Sequence, residues 1–382
     1  MQVAQVVLND KNKASQDLQT LQAVQPDLLL VFGAMGWLSE VVNTLGQLFP
    51  DAIRMGCSTA GEISARGVSD QTCVVTAVRF EHTQLVSSST VLTGMADSLT
   101  AGQRLAQQLP QDGLRAVVVL GQGVAINGSA LIEGLTSVLG KKIPLTGGLA
   151  GDAAAFRETW VLDNTGVHNN HLVCLGLYGE ALSFTHGSFG GWQPFGPARK
   201  VTRCANNVLF ELDGEPALAV YKRYLGEHAK DLPGVGLLFP FAMLGSDHTE
   251  MGVIRTILGM DEVSGSLTLA GDIDPTGYLR LMHASTDALV DGADAAAQMA
   301  QPGPSALAAS QSLALLVSCV GRKLVMGGRV DEEVEAIGAV FGQHCMLTGF
   351  YSNGEISPLA AHTDCKLNNQ TMTVTLLTEA AV

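Results

Sequence analysis

The sequence has few basic residues and no basic cluster. Of its 382 residues, 22 are Lys or Arg and 36 are Asp or Glu, which gives a formal net charge of −14 at pH 7. No Lys/Arg run is longer than two residues, as at Lys141-Lys142. Nucleic acids and anionic membrane surfaces are bound through stripes of cations that release counterions. We therefore expect neither a nucleic-acid partner nor a membrane partner.

Paired cysteines and membrane-length apolar runs are also missing. The seven cysteines include no Cys-x-x-Cys pair and no metal-ligand spacing, which favours reduced thiols. The uncharged run at residues 305–321 is interrupted by Ser and Gln, whereas a span needs about 20 predominantly apolar residues. The chain opens without the basic and apolar segments of a secretory signal. These absences predict a cytoplasmic protein.

What the sequence does contain is one unit that occurs three times. In each copy an apolar strand leads through a helix to a second strand, then to a glycine-flanked loop that closes on an acid, and a further strand follows. A single unit of this kind cannot bury its own apolar faces, so the copies are expected to stack. The three copies span residues 28–62, 116–152 and 313–355, and the trailing strands are residues 73–80, 171–178 and 371–377.

This pattern predicts an α/β protein of mixed α+β type. We expect two packed mixed β-sheets with helices outside, built from repeated β-α-β-loop-β units, because helical crossovers make parallel pairs and hairpins make antiparallel ones. The composition changes at residues 184–197, which are dense in Gly, Pro and aromatics and disfavour both helix and strand. We predict two domains, residues 1–183 and 184–382, with the segment 184–197 lying as a connection across a pocket.

The glycine-flanked loops are the first candidate site. Glycines after a strand allow backbone N–H groups to gather around a bound group. The preferred alternative is that the loops are tight turns whose acids accept backbone N–H bonds. The candidate residues are Gly56, Cys57, Gly61, Glu62, Gly148, Gly151, Asp152, Gly354 and Glu355.

Cys57 lies at a strand–loop corner, where a thiol could act as a nucleophile if a base were near. None of the nine histidines forms a recognisable Cys/His/Asp pattern with it. A buried, unreactive side chain is therefore the preferred interpretation. A Cys57-dependent hydrolase ranks below a binding function, and we expect no enzymatic activity.

His186 is the most suggestive histidine, because it lies in a glycine- and aromatic-rich segment. A flat apolar cofactor needs aromatic walls and one axial nitrogen, which an imidazole could supply. The alternative is a partly solvated histidine bonded to backbone. We predict His186 as an axial iron ligand, with His283 and His344 as reserves, and the aromatic walls as Phe184, Phe189 and Trp192. His168 and His171 flank a hairpin turn and rank lower.

Four motifs taken together resemble the FIST sensory module with its N-terminal and C-terminal parts. They lie at residues 56–63, 144–152, 211–217 and 349–358, so the resemblance covers almost the whole chain. The stretches 253–261, 319–323 and 369–373 are similar to the bacterial branch of the family that includes nitric oxide sensing. A histidine often stands in that branch where this chain has Asn368, so an axial ligand at that position would be missing here.

The resemblance implies a protein that senses rather than catalyses. In one form it would bind haem b, meet nitric oxide at the iron and change the activity of a partner histidine kinase or phosphotransfer protein. In the other it would bind a small polar metabolite such as an amino acid, without haem, using loop N–H groups and Arg255 or Arg322 as a bidentate carboxylate clamp. A homodimer is compatible with either form. Both require a largely nonpolar hollow within the repeated fold.

Overall fold

The computed structural model describes residues 1–232, 234–302, 311–358 and 364–380. Among the described helices, none combines the length and apolar character needed to cross a bilayer. The helices are α1 (Ala14–Thr20), α2 (Met35–Leu48), α3 (Ser98–Gln107), α4 (Gly128–Leu139), α5 (Ala217–Leu225), α6 (Thr286–Ala300), α7 (Val320–Met326) and α8 (Asp331–Phe341).

The strands of the first half of the chain are β1 (Gln2–Leu8), β2 (Leu28–Gly33), β3 (Ile53–Ser58), β4 (Glu62–Ser64), β5 (Gly67–Ser69), β6 (Cys73–Arg79), β7 (Gln84–Val91), β8 (Leu114–Gly121), β9 (Leu145–Leu149), β10 (Val161–Asp163), β11 (Gly166–His168), β12 (His171–Tyr178) and β13 (Leu182–Phe189). Those of the second half are β14 (Gln193–Pro194), β15 (Arg199–Ala205), β16 (Val208–Leu212), β17 (Glu215–Pro216), β18 (Phe241–Leu244), β19 (Glu250–Arg255), β20 (Ile257–Asp261), β21 (Ser266–Leu269), β22 (Tyr278–His283), β23 (Ser312–Cys319), β24 (Cys345–Ser352), β25 (Gly354–Pro358), β26 (Cys365–Asn368) and β27 (Met372–Glu379).

Three six-stranded sheets each contain one copy of the repeated unit. In the first sheet β2 and β3 are parallel, and β6 returns antiparallel to β2. The same arrangement recurs in β8, β9 and β12 of the second sheet and in β23, β24 and β27 of the third. The helices between the paired strands pack outside their sheets. The repeat and its trailing strands are therefore confirmed.

Each unit sends the hairpin that follows its second strand to a different sheet. The hairpin β4–β5 of the first unit pairs with β24 of the third sheet. The hairpin β10–β11 pairs with β3 of the first sheet, and β25–β26 pairs with β9 of the second. The exchange closes a cycle, so every sheet is completed by strands from another unit.

The central core lies where these three sheets face one another. Buried side chains from all three form one apolar cluster, in which the rings of Phe32 and Phe350 stack with centroids 4.8 Å apart. Mixed sheets with helices outside are confirmed. The described strands form four sheets rather than two, because each repeat builds a sheet of its own and the intervening segment builds another.

The fourth sheet is formed mainly by the segment between the second and third units. Its main order is β19-β18-β22-β15-β16-β21-β20, with β14 beside β22 and β17 beside β16. Strands β20 and β21 form an antiparallel hairpin within it. Helix α5 covers this sheet and buries Tyr221 in a separate apolar cluster.

The prediction that residues 184–197 are an irregular connection is wrong at its start. Strand β13 pairs with β27 over eight residues, from Leu182 to Phe189. The glycine within it allows a helix to approach, since a Cβ at Gly187 would lie 2.1 Å from the carbonyl oxygen of Ala296 on α6. Glycine here reflects close packing of helix on strand rather than a loop.

A glycine occupies the equivalent place in the second strand of every unit, at Gly56, Gly147 and Gly349. A Cβ at any of them would lie 1.8 to 1.9 Å from a carbonyl oxygen of the neighbouring parallel strand. These glycines are therefore required by the approach of two strands, independently of any ligand.

Substituting Gly147 tests this requirement. Gly147→Ala is expected to lower the free energy of unfolding by about 3 kcal/mol, because the added Cβ overlaps Val119 O and the backbone φ of +135° disfavours a side chain. Urea denaturation measures the change. The matched control is Gly338→Ala on α8, where the nearest atom would lie at an ordinary 3.6 Å and helix propensity predicts a gain of up to about 1 kcal/mol. Equal stabilities of the two variants would contradict the account.

Candidate functional site

The candidate site is a cavity of about 350 Å³ between the second sheet and the fourth sheet. Helix α4 and the residues that follow it form one wall, strands β18 and β19 form another, and β26 forms the third. The wall is largely apolar, and it includes Met243, Met251 and Val253. Pockets of this size and character are typical of small-molecule sites.

Arg255 is the buried cation of this cavity. Arg255 is the last residue of β19 and is only 6% exposed. Nε donates to Asp272 O at 3.1 Å and Nη1 donates to Leu367 O at 3.1 Å and to Ile254 O at 3.3 Å. Among the described residues, none accepts a hydrogen bond from Nη2 and no carboxylate forms an ion pair with the guanidinium.

Burial without an ion pair disfavours the charged form of this side chain. It lowers the pKa of Arg255 to about 10, although the charge of Asp272 opposes the shift. The guanidinium is therefore still protonated at neutral pH. A buried cation with an unused donor is stabilised when an anion binds beside it.

The other charged groups of the cavity lie nearer to solvent. Lys141 Nζ and Asp364 Oδ2 form an ion pair at 2.7 Å, with both side chains more than half exposed. Glu133 and Lys366 complete the charged lining. The cavity thus combines an apolar wall, an unpaired buried cation and carboxylates at its edge.

Arg322, the second predicted clamp, is fully engaged within the protein. Its guanidinium forms a completely buried ion pair with Glu333, with Nη2 to Oε2 at 2.8 Å. Nη1 donates to Gly190 O at 2.5 Å and Nη2 also donates to Leu289 O at 2.8 Å. Tyr351 and Ser318 donate to the same glutamate. This arginine holds α7, α8 and α6 together, and its side chain is completely buried, so it is closed to a ligand.

The three glycine-flanked loops meet one another through their backbone N–H groups. In three of these bonds each loop donates to one neighbour and accepts from the other, and this closed cycle is what we call the loop ring. Tyr351 N also donates to Gly61 O at 2.9 Å. Because these donors are engaged within the protein, they are not available to cradle a ligand. The donor–acceptor pairs of the loop ring are Ala60 N and Tyr351 O at 2.9 Å, Gly151 N and Ser58 O at 2.9 Å, and Asn353 N and Leu149 O at 3.1 Å.

The predicted loop acids all accept backbone N–H bonds. Glu62 accepts from Thr72 N at 3.0 Å, and Glu355 accepts equivalently from Thr371 N at 3.1 Å. Asp152 instead accepts from the backbone of residues 156–158 within its own longer loop. The place equivalent to Glu62 and Glu355 in the second unit is held by Val161, so the three acids do not form one symmetric set.

Cys57 lies in the central core, whereas two of the predicted haem residues line a separate cleft. Cys57 is fully buried in the central core, where burial raises the pKa of its thiol well above the ordinary value. His186 and Phe184 line a cleft of about 730 Å³ together with Lys141 and Lys142. This cleft adjoins the Arg255 cavity, since some residues line both.

The remaining haem candidates do not line the cleft at His186. Phe189 is 48% exposed, and Trp192 packs in another cluster with Nε1 donating to Gln370 O at 2.8 Å. His283 contacts Phe195 edge-on, with ring centroids 5.7 Å apart, and His344 is exposed. Of the four predicted haem residues, the described cleft therefore brings together His186 and Phe184.

Arg255 is identifiable from the sequence, but the wall around it is not. A signal exists in β19, where Val253 and Arg255 are both buried on an alternating strand that also carries exposed residues. An arginine on the buried face of a strand is unusual unless it is paired. The walls from α4 and β26 are distant in sequence, and no local pattern connects them to β19.

Buried Glu355 makes stability depend on pH. Burial raises its pKa to about 7, although Ser352 and Thr371 donate to the carboxylate and favour ionisation. Between about pH 4.5 and pH 7 the folded state therefore keeps a proton that the unfolded state has released, so this group's contribution to the free energy of unfolding falls by about 3 kcal/mol over that range. Glu355→Gln removes this contribution.

Urea denaturation of wild type and Glu355→Gln across pH 4 to 8 measures the effect, with the two compared at each pH. We expect the variant to gain stability relative to wild type as pH rises, with a plateau above about pH 7. A stability difference that is constant across this range would mean that the carboxyl titrates alike in both states.

The repeated fold thus carries an apolar cavity with a buried cation that has no ion-pair partner among the described residues. Comparison with protein-family models assigns residues 27–215 to the FIST N domain and residues 217–358 to the FIST C domain. The chain therefore belongs to the FIST domain proteins, and FIST domains are sensory domains. The family resemblance noted in the sequence is confirmed at this level.

Two solved structures are similar over nearly the whole chain at low identity. Cyanuric acid hydrolase from A. caulinodans is 9% identical, with a TM-score of 0.39, and the match covers 100% of this chain and 99% of that one. A second cyanuric acid hydrolase structure is 10% identical, with a TM-score of 0.33, and the match covers 99% of both chains. A comparison with curated proteins gives no match. Similarity this distant supports no inference about activity.

Proposed function

We propose that the protein is a non-enzymatic sensor that binds a small anionic metabolite, such as an amino acid, in the cavity beside Arg255. The observation that carries the proposal is the guanidinium itself, which is buried, protonated at neutral pH and without an ion-pair partner among the described residues. A carboxylate bound at Nη2 would supply the missing charge and accept the unused hydrogen bond.

The rest of the lining favours a ligand with an apolar body. Met243, Met251 and Val253 would contact an aliphatic or aromatic side chain. Glu133 and Asp364 at the edge of the same cavity would accept hydrogen bonds from an ammonium group. An amino acid carries all three features, namely a carboxylate, an ammonium and a side chain.

Binding at this position would connect two parts of the fold. Arg255 belongs to the fourth sheet, whereas Leu367, whose carbonyl accepts from Nη1, belongs to β26 of the second sheet. A ligand between them would favour the arrangement in which both walls contact it. A cytoplasmic histidine kinase or phosphotransfer protein that binds this arrangement would receive the signal, and no bond of the ligand needs to be made or broken.

Arg255 variants test the site in a thermal-shift screen against amino acids and related carboxylates. Wild type is expected to gain thermal stability with at least one of them, because a ligand that binds only the folded state stabilises it by linkage. Arg255→Met should abolish the gain. Arg255→Lys keeps the charge but loses the planar guanidinium, whose other N–H groups are held by backbone carbonyls, so its affinity should fall by about tenfold or more.

The matched control is Arg115→Met. The Arg115 side chain is 44% exposed and forms only a weak ion pair with Glu180. This variant should respond to the ligand like wild type. A hit that stabilises Arg255→Met as much as wild type, or the absence of any hit in the wild-type screen, would contradict the proposal.

Haem binding in the cleft at His186 is the second candidate. The observation in its favour is that an imidazole, the Phe184 ring and two lysines line one cleft of about 730 Å³. Phe184 would contact a flat apolar face, and Lys141 and Lys142 would pair with carboxylates of the cofactor. Bound haem would supply an iron that nitric oxide coordinates. Phe189 and Trp192 lie away from the cleft, so the aromatic walls are fewer than the sequence analysis expected.

Absorption spectra distinguish the two candidates. If the cleft takes haem through His186, titration of wild type with haem gives a Soret band that shifts with nitric oxide, and His186→Ala loses the axial-ligand spectrum. His344→Ala, which changes an exposed histidine, should behave like wild type. A spectrum of free haem in all three proteins would exclude the second candidate and leave the metabolite sensor unaffected.

A further inference from the structure

A cluster of three metal-ligating side chains lies where the hairpin β10–β11 meets the start of β12. Asp163 ends β10, His168 ends β11 and His171 begins β12. His168 Nε2 lies 3.5 Å from Asp163 Oδ1, and His171 Nδ1 lies 3.6 Å from Asp163 Oδ2. The two imidazole rings stack with centroids 3.8 Å apart and planes inclined by 23°.

Two atoms of the cluster are buried without a hydrogen bond of normal geometry. They are Asp163 Oδ2 and His171 Nδ1. Asp163 is only 5% exposed, and its other oxygen already accepts from Thr165 N at 2.7 Å and from the Thr165 hydroxyl. Buried polar atoms normally have a hydrogen-bond partner. This carboxylate oxygen and this imidazole nitrogen have none of normal geometry, and an atom bound between them would serve both.

We propose that Asp163, His168 and His171 bind one divalent transition-metal ion of the zinc type. Zinc lies about 2.0 to 2.2 Å from nitrogen and oxygen ligands, so neighbouring ligand atoms of a tetrahedral site are about 3.4 Å apart. One ligand atom from each of the three residues lies within 4.8 Å of the other two, and the contacts of 3.5 and 3.6 Å reach different oxygens of Asp163. Binding one ion would therefore draw the three side chains closer together, and it would replace the 2.9 Å hydrogen bond between His168 Nε2 and the Thr165 hydroxyl. Two imidazoles with one carboxylate favour zinc, cobalt or nickel over magnesium or calcium.

The other two units carry no metal ligands at the equivalent places. In the first unit the equivalent residues are Ser64, Ser69 and Thr72, where the Ser69 and Thr72 hydroxyls are 2.7 Å apart. In the third they are Ser357, Asn368 and Thr371, where Asn368 Nδ2 donates to the Ser357 hydroxyl at 3.2 Å. The fold thus brings three side chains together at each such corner, and in the second unit all three are metal ligands.

The ion would tie two sheets together. Asp163 and His168 belong to the first sheet, whereas His171 belongs to the second. The side chains of His168 and His171 are 26% and 17% exposed, so water can supply the remaining ligand. This site shares no residue with the Arg255 cavity or the His186 cleft.

Titration of the full-length, chelator-treated protein with Co²⁺ tests the proposal, because tetrahedral Co²⁺ absorbs strongly in the visible. We expect one equivalent to bind in wild type and Zn²⁺ to displace it. His168→Gln and His171→Gln should each lower the Co²⁺ affinity by more than about 100-fold. Changing a residue that only contacts a ligand of the metal usually costs less than this. His344→Gln, at an exposed histidine, is the control and should bind Co²⁺ like wild type.

Far-UV circular dichroism checks that each variant is folded. If a histidine variant is unfolded, Asp163→Asn, which preserves the size of the side chain, is used in its place. Wild-type thermal stability should also rise with Zn²⁺ alone. The proposal is overturned if Co²⁺ binds the folded His168, His171 or Asp163 variants as tightly as wild type, or if saturating Co²⁺ gives no tetrahedral absorption. No metabolite or haem is present in this experiment, so its result is independent of the proposed function.

Discussion

The loop ring and the exchanged hairpins are the constraint on which the rest of the molecule depends. Each glycine-flanked loop satisfies its neighbour's backbone groups, and each sheet is completed by strands from another unit. Removing one unit would therefore leave unpaired strand edges and unsatisfied N–H groups in the other two. The three sheets form around one apolar core, and the fourth sheet packs against the second. The Arg255 cavity lies at that second contact, outside the loop ring.

The two buried arginines differ in whether their charge is compensated within the protein. Arg322 is neutralised by Glu333, and its donors are used by Gly190 O and Leu289 O. Arg255 is comparably buried but has carbonyl partners only, so its charge is uncompensated. A buried charge without a counterion lowers stability. Its presence beside an apolar cavity is explained if an anionic ligand supplies the counterion.

Much of the fold could be predicted from the sequence, because repeats and periodicity are local signals. The three units and their trailing strands were predicted close to their observed places. The number of sheets could not be predicted, since hairpin exchange depends on contacts between residues far apart in the chain. Strand β13 was missed because Gly187, which admits helix α6, has the same local appearance as a loop glycine.

The candidate sites were predictable only in part, for the same reason. Arg255 was identified as a carboxylate clamp, but its partner was expected in the glycine loops, whose N–H groups are engaged in the loop ring. Asp163, His168 and His171 were passed over because the spacing of the two histidines resembles a hairpin turn. The third ligand, Asp163, lies five residues before His168, and only the fold brings its carboxylate close to both imidazoles.

The most direct test of the central claim is a crystal structure of the protein saturated with a metabolite that stabilises it. The account predicts electron density in the cavity between the second and fourth sheets, with an anionic group accepting a hydrogen bond from Arg255 Nη2. Density for the metabolite elsewhere, with the cavity beside Arg255 filled by water alone, would contradict it.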